Sequence, residues 1–319
     1  MAAKSITPST ASKNRKKSIG AMLKRDFIKY KGIYALAIPV LAYFILFKYV
    51  PLYGITIAFK NYVPTKGIFG SQWVGVEHFM RFFKSVYFKR TICNTLLISI
   101  YDVIFGFPAP IIFALLLNEV KNSVFKRTIQ TITYLPHFIS TVVIAGMIID
   151  FTSQNGLINN IISLFEFERS DMLMRPELFR TIHIGSGIWQ GVGWGSIIYL
   201  SSLSSIDQEQ YEAAYIDGAN RWQQAYSITI PGIMPTITIL FILKIGGLMS
   251  VGSEKILLLY SPVTYETADV ISTFIYRKGL LDMDYSFSTA VGLFNSVINI
   301  ILLTIANTLS RKVNETSLW

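Results

Sequence analysis

The chain of 319 residues has one cysteine, three histidines and few charges. A single thiol, Cys93, cannot close an intramolecular disulfide or a cysteine-rich metal site. His78, His137 and His183 are scattered without ligand spacing, so no metal centre is expected. No G-x-x-x-x-G-K-[ST] loop occurs, so this chain has no P-loop with which to hydrolyse ATP. Gly191-Val192-Gly193-Trp194-Gly195 is not the dinucleotide fingerprint, because no strand precedes it. No Ser-His-Asp or Cys-His grouping suggests a nucleophile, and the expectation is no catalytic residue and no enzyme. Residues 1–20 have no apolar core segment, so they are not read as a cleavable signal peptide but as a disordered tail.

Apolar residues are abundant. They make up 52% of the chain against 15% charged, and mean hydropathy is +0.46. Soluble domains carry about 25% charge, so the composition places the chain in a bilayer. A spanning helix needs roughly 20 apolar residues. Six segments qualify: 33–57, 92–117, 129–149, 181–203, 232–251 and 287–309. The first is interrupted by Lys48 and Pro51. The fourth is glycine-rich, and its glycines suit close packing, a kink or the lining of a path.

The net charge of +10 has a topological explanation. Lys13, Arg15, Lys16, Lys17, Lys24, Arg25, Lys29 and Lys31 all precede the first span, which puts the N-terminus in the cytoplasm. Lys121, Lys126 and Arg127 fall in the connection after span two, and Arg311 and Lys312 follow the last span, both on the same side. The basic outward loop of residues 60–90 is long, and long translocated loops follow the charge rule poorly. No aromatic interleaving or nucleic-acid motif accompanies the basic tail, so contact with anionic lipid is expected and nucleic acid is not.

Between the fourth and fifth spans stands Tyr211-Glu212-Ala213-Ala214-Tyr215-Ile216-Asp217-Gly218-Ala219, followed by Ile228-Thr229-Ile230-Pro231. This is a short polar helix with a thin alanine face and a glycine that permits close approach, closing on a proline where the next span begins. The pattern Glu-Ala-Ala, three residues, Gly, nine residues, Ile-x-hydrophobic-Pro resembles the coupling-helix motif of permease subunits in ATP-binding-cassette (ABC) importers. From residue 20 onward the chain looks like a type I ABC importer permease of the carbohydrate group, in the branch serving complex oligosaccharides (the LplB-like permeases). Supporting stretches are Trp73-Val74-Gly75 with Phe79, Phe107-Pro108-Ala109-Pro110, Leu115-Leu116-Leu117-Asn118-Glu119, and Tyr134 through Ser140. Asp269 through Arg277 and the closing Ser317-Leu318-Trp319 also match. Ile230 departs from the leucine more usual before the proline, a volume-conserving change.

The resemblance implies an all-α membrane protein with six transmembrane helices of the type I importer permease fold and a cytoplasmic coupling helix near 207–226. Residues 1–31 would be a basic cytoplasmic tail. Residues 32–90 would hold the first span and an extracellular segment, 91–310 the permease domain, and 311–319 a cytoplasmic tail. It implies a multi-pass protein of the bacterial cytoplasmic membrane, paired with a second, homologous permease subunit. Two ATPase subunits would bind ATP and Mg, and an extracellular sugar-binding protein would deliver the oligosaccharide. No cofactor is expected in this chain. Glu212, Ala213, Ala214 and Gly218 would dock the ATPase, flanked by Asp217, Ala219 and Arg221. For the sugar path, aromatic faces and amides suggest Trp189, Trp194, Tyr199, Asn295 and Asn299, although packing or interhelical bonding would explain the same residues. Asp102 and Lys244 are the ionisable residues deepest in the spans, at comparable depth, and are expected to pair or to line the path. Two other functions fit a membrane chain with a docking helix: a secondary transporter or channel, and a scaffold that docks a cytoplasmic protein without transport.

This topology predicts that Lys66→Cys, Glu168→Cys and Glu266→Cys, each in a Cys93→Ala background, react with impermeant thiol reagents in intact cells. Asn220→Cys should be protected, and the opposite labelling pattern inverts the assignment.

Overall fold

The computed structural model describes residues 27–166, 168–314 and 317–318. Most of the basic N-terminal tail, including Lys13 to Arg25, and the terminal Trp319 lie outside the described residues. The chain forms two compact units, Met1–Ile55 and Thr56–Trp319.

In the first unit, α1 (Lys31–Phe44) runs through a π turn (Ile45–Tyr49) into 3-10 turns beginning at Val50. Leu36, Ile38, Leu41 and Phe47 are all exposed, on different sides of the helix. A helix apolar all round is stable only within a core or a bilayer.

The second unit opens with a two-rung antiparallel ladder, β1 (Lys60–Asn61) with β2 (Gln72–Trp73), and α2 (Glu77–Lys84). Next come α3 (Val86–Tyr101) and α4 (Pro108–Glu119), joined by a π turn over Asp102–Gly106. Then follow α5 (Ser123–Tyr134), α6 (Thr141–Thr152), α7 (Leu157–Ser163) and the 29-residue α8 (Pro176–Ser204). The short α9 (Gln208–Ile216) leads through a second π turn (Ala225–Thr229) to α10 (Ile230–Gly246). The chain closes with α11 (Ser253–Leu259), α12 (Ile271–Tyr276) and α13 (Tyr285–Asn314).

Among the described residues five helical stretches are long and apolar enough to cross a membrane: 31–59, 86–119, 141–163, 221–246 and 285–312. The expected fourth span, 181–203, lies within α8, which has the length but not the apolarity of the other five. The expected third span, 129–149, is broken. Pro136 has no N–H to continue α5, and Ser140 starts α6 afresh by accepting from the Val143 N–H at 3.4 Å. The apolar stretch is therefore displaced toward 141–163.

Three apolar clusters hold the second unit together. Ile98, Ile144, Phe179, Ile256 and Val270 form one, and Phe82, Phe274, Phe287 and Val291 another. The third joins Ala114, Tyr199, Leu203 and Ile233. Two glycines of α8 set how close it comes to its neighbours. A Cβ on Gly193 would collide with the Thr133 carbonyl of α5, and one on Gly195 would press on Pro110 of α4 at 3.1 Å. These two serve helix packing, whereas Gly185 and Gly191 face open space.

One end of the unit is latched by charge. Asp269 is fully buried and accepts from Arg277 at 2.7 Å through both carboxylate oxygens and from Arg90 at 3.1 Å. Burial pushes Arg277 toward the neutral form, but its bonds to Asp269 and Tyr260 outweigh that and hold it above its usual range. Asn94 of α3 donates to the Glu266 and Asp269 carbonyls and accepts from Arg180 of α8. Tyr62 N–H bonds to Ser286 Oγ, and Arg81 pairs with Asp284 at 2.7 Å. Segments 60–90, 176–180 and 260–286 thus share one end, as the expected topology requires of the outward loops.

Gly193→Ala should lower the stability of the detergent-solubilised protein by about 1–3 kcal/mol, read as a depressed Tm, because the α5 backbone cannot yield. Gly191→Ala, in open space on the same helix, should leave Tm unchanged or raise it; equal losses at both sites would contradict this packing account.

Candidate functional site: a polar cavity and an exposed helix

After Gly246 the helix α10 stops, and residues 247–252 run irregularly before α11 begins. At membrane depth, irregular backbone is tolerated where protein groups satisfy it and where it lines a cavity. Both conditions hold here. Ser99 Oγ of α3 donates to the Leu248 carbonyl, Asn299 Oδ1 of α13 accepts from Met249 N–H at 2.9 Å, and Ser272 Oγ of α12 donates to the Val251 carbonyl at 3.1 Å. Asn299 Nδ2 also donates to Ser250 Oγ at 2.8 Å. Against this segment lies a cavity of about 460 Å³, walled by Ser99 and Asp102 from one side, His183, Gly187 and Gln190 of α8 from another, and Lys244, Ser250 and Lys255.

Asp102 and Lys244, singled out by depth alone, are an ion pair in this wall, with Lys244 Nζ donating to Asp102 Oδ2. The π turn that begins at Asp102 gives that carboxylate its setting, since such turns displace side chains from the regular helical register. Gly106 completes the turn, because a Cβ there would collide with Asp102 Oδ1. Lys255 Nζ donates to the His183 carbonyl at 3.0 Å, and no carboxylate among the described residues lies within 4.0 Å of it. His183 Nδ1 is buried without a hydrogen-bond partner. Neither Lys255 nor Gln190 was singled out from sequence; Lys255 falls just past the fifth apolar run, and only the fold brings it back to the bundle.

The expected sugar-path residues do not converge. Tyr199 is 3% exposed and packs inside the apolar cluster with Ala114 and Ile233. Asn299 spends its amide on the broken segment instead of an open face, which is the interhelical role that its helix-helix position also allowed. Asn295 Oδ1 is buried and has no partner. Trp194 stacks on His137 with ring centroids 4.5 Å apart, and Trp189 lines a separate apolar cavity of about 920 Å³ with Met147, Phe151 and Ile162.

The second feature is α9 and the turn after it. Asp207 caps the helix by accepting from Glu209 N–H at 3.0 Å. Its far end is a Schellman closure: Ala219 N–H reaches the Ala214 carbonyl at 2.9 Å, with Gly218 at φ +80°. Nothing stands within 4 Å of a Cβ at Gly218. The glycine is therefore required first by the backbone conformation, not by crowding within the chain. Asn220 and Gln223 then form a capping box, Tyr211 and Thr229 hydroxyls share a hydrogen bond at 3.0 Å, and Arg221 pairs with Glu119 at the end of α4, 2.9 Å away. Arg221 is thus a strut to α4. Glu212, Ala213, Asp217 and Gly218 are exposed, and Ala214 and Ala219 half-buried. The sequence reading of this site did not include Ile216, Trp222 and Tyr226, which with Tyr215 are among the most exposed apolar side chains described, at 83%, 86%, 78% and 77%.

Comparison with known proteins supplies a frame for this geometry. Residues 106–315 match the family model described as binding-protein-dependent transport system inner membrane component. Protein LplB of Bacillus subtilis (strain 168) is 44% identical over 94% of this chain and 93% of its own length. The polygalacturonan/rhamnogalacturonan transport system permease protein YteP of the same organism is 41% identical over 92% and 91%. A solved structure of a bacterial ABC transporter involved in import of the acidic polysaccharide alginate contains a chain 43% identical, with TM-score 0.85, covering 92% of this chain and 99% of that one.

If the Asp102–Lys244 pair carries real coupling, Asp102→Asn and Lys244→Met should each destabilise by about 1 kcal/mol, since both side chains keep over a third of their exposure. The double variant should lose less than the sum, and Gly106→Ala should match Asp102→Asn. Strict additivity in thermal unfolding removes the pair from the energetics.

Proposed function

Because the chain belongs to the family of binding-protein-dependent transport system inner membrane components, we propose that it is the permease subunit of an ATP-driven importer of oligosaccharides. In this reading it crosses the bacterial cytoplasmic membrane six times, with α8 as the least apolar span and both termini cytoplasmic. It forms half of the translocation path with a second homologous permease, to which the apolar flank of α1 offers contact area. An extracellular binding protein delivers the sugar. Two cytoplasmic ATPase subunits hold ATP and Mg and supply the work, which this chain receives at α9. The sugar class is supported by the relatives, whose printed substrates are polygalacturonan/rhamnogalacturonan, arabinooligosaccharides and alginate.

The observation that carries the reading is the exposed apolar group Tyr215, Ile216, Trp222 and Tyr226 around the α9 closure. Large apolar side chains gathered at a polar end of a membrane protein mark a docking surface, and aromatic anchors dominate such interfaces. Glu212, Asp217 and the Gly218 backbone form its polar edge. The bonds from Tyr211 to Thr229 and from Arg221 to Glu119 tie this surface to α10 and α4, so a displacement of α9 is passed to the two helices that carry Lys244 and adjoin Asp102.

Trp222→Ala should weaken ATPase association by about 2 kcal/mol, roughly thirtyfold, and reduce sugar uptake at normal membrane abundance. Gly218→Leu should abolish uptake, because it combines a side chain at the docking surface with a strained left-handed backbone. Gly218→Asn, which accepts that backbone conformation, separates the two contributions. Wild-type ATPase recovery and uptake in both Trp222→Ala and Gly218→Leu would remove α9 as the coupling element.

A further inference from the structure

The cavity beneath the α10 break has an unbalanced charge. Its wall carries two ammonium groups, Lys244 and Lys255, and one carboxylate, Asp102. Lys244 is paired with Asp102, whereas Lys255 has only the His183 carbonyl at 3.0 Å as a partner among the described residues. An ammonium has three donors, so two remain for something else. Gly187 of α8 lies beside it: a Cβ there would stand in van der Waals contact with Lys255 Nζ, at 3.6 Å. Asp102 across the cavity attracts Lys255 without reaching it, and a part-buried ammonium with no carboxylate within 4.0 Å favours an anionic partner. Neutral sugars need no such charge, since hydroxyl groups are satisfied by amides and hydroxyls.

We propose that this cavity selects acidic sugars, with Lys255 receiving the carboxylate of a uronic acid unit as the oligosaccharide passes. The inference rests on the importer reading and adds its substrate class. Gln190 shares the wall and supplies hydrogen bonds to the same sugar ring. Lys244, neutralised by Asp102, is a spectator to recognition.

The test uses the complete transporter with its own binding protein and three trisaccharides, of galacturonate, glucuronate and mannuronate, each beside its methyl ester. The ester keeps the sugar backbone and removes the charge. Wild type should import at least one acid in preference to its ester. Lys255→Gln should cut uptake of that acid about tenfold or more, as loss of a charge-assisted hydrogen bond implies, while changing ester or neutral-sugar uptake less than about twofold. Lys255→Arg should restore most of the acid uptake. Because the binding protein is unchanged, a shift in the acid-to-ester ratio belongs to this chain. Equal loss of both forms, with membrane abundance reduced or not, overturns the proposal, as does unchanged acid uptake in Lys255→Gln. A wild-type transporter that imports neutral oligosaccharides and none of the acids also overturns it and leaves the importer standing. ATP-dependent uptake of no sugar at all overturns both.

Discussion

Buried backbone polar groups must find partners within the protein, and residues 247–252, where the chain leaves α10, show how this constraint is met. Ser99, Ser272 and Asn299, from three different helices, each meet one of the freed groups. Their convergence fixes where α3, α12 and α13 stand around the break. The cavity is the by-product: the broken segment cannot fill the volume that a continuous helix would, and polar groups collect on its walls. Asp102 reaches that wall through its π turn, and Lys255 through the reversal of the chain into α11.

The two ends of the second unit are built differently. At the end shared by 60–90, 176–180 and 260–286, Asp269 sits fully buried between two arginines, a pairing whose disruption would leave uncompensated charge inside protein. At the other end, among the described residues, α9 and its turn are tied by the exposed Arg221–Glu119 pair and by the part-buried Tyr211–Thr229 hydroxyl bond. Exposed pairs contribute little stability. A firm latch at one end and weak ties at the other suit a bundle that is pushed from the weak side, since α9 can shift without first breaking a buried network.

Much of this was legible in the sequence, for identifiable reasons. The long apolar runs and the Glu-Ala-Ala to Gly218 spacing are local patterns; a helix stands at Gln208–Ile216, and five helical stretches among the described residues are apolar enough to cross a membrane. The depth argument for Asp102 and Lys244 worked because helical rise is constant and few charges compete. Pro136 lies within the expected third span, and with Ser140 after it the helix breaks and restarts there. Tyr199 and Asn299 illustrate the opposite difficulty, because side-chain chemistry alone does not say which face of a helix meets the core. Spacing marks Gly218 as a point of close approach, whereas its first requirement in the structure is a left-handed backbone, which spacing does not reveal. Lys255 carries no local signal at all, and its significance arises only from the loop that returns it to α8.

The central claim is that this chain moves sugar with work done by another subunit at α9. The direct measurement is purification of the chain with its bound partners, reconstitution into proteoliposomes, and parallel assay of ATP hydrolysis and sugar accumulation with and without sugar-loaded binding protein. The account predicts stoichiometric recovery of a cytoplasmic ATPase, hydrolysis stimulated by the loaded binding protein, and accumulation that stops without ATP. Accumulation driven by an ion gradient in the absence of ATP would contradict it in favour of a secondary transporter, and recovery of a cytoplasmic partner with no sugar movement would leave only a scaffold.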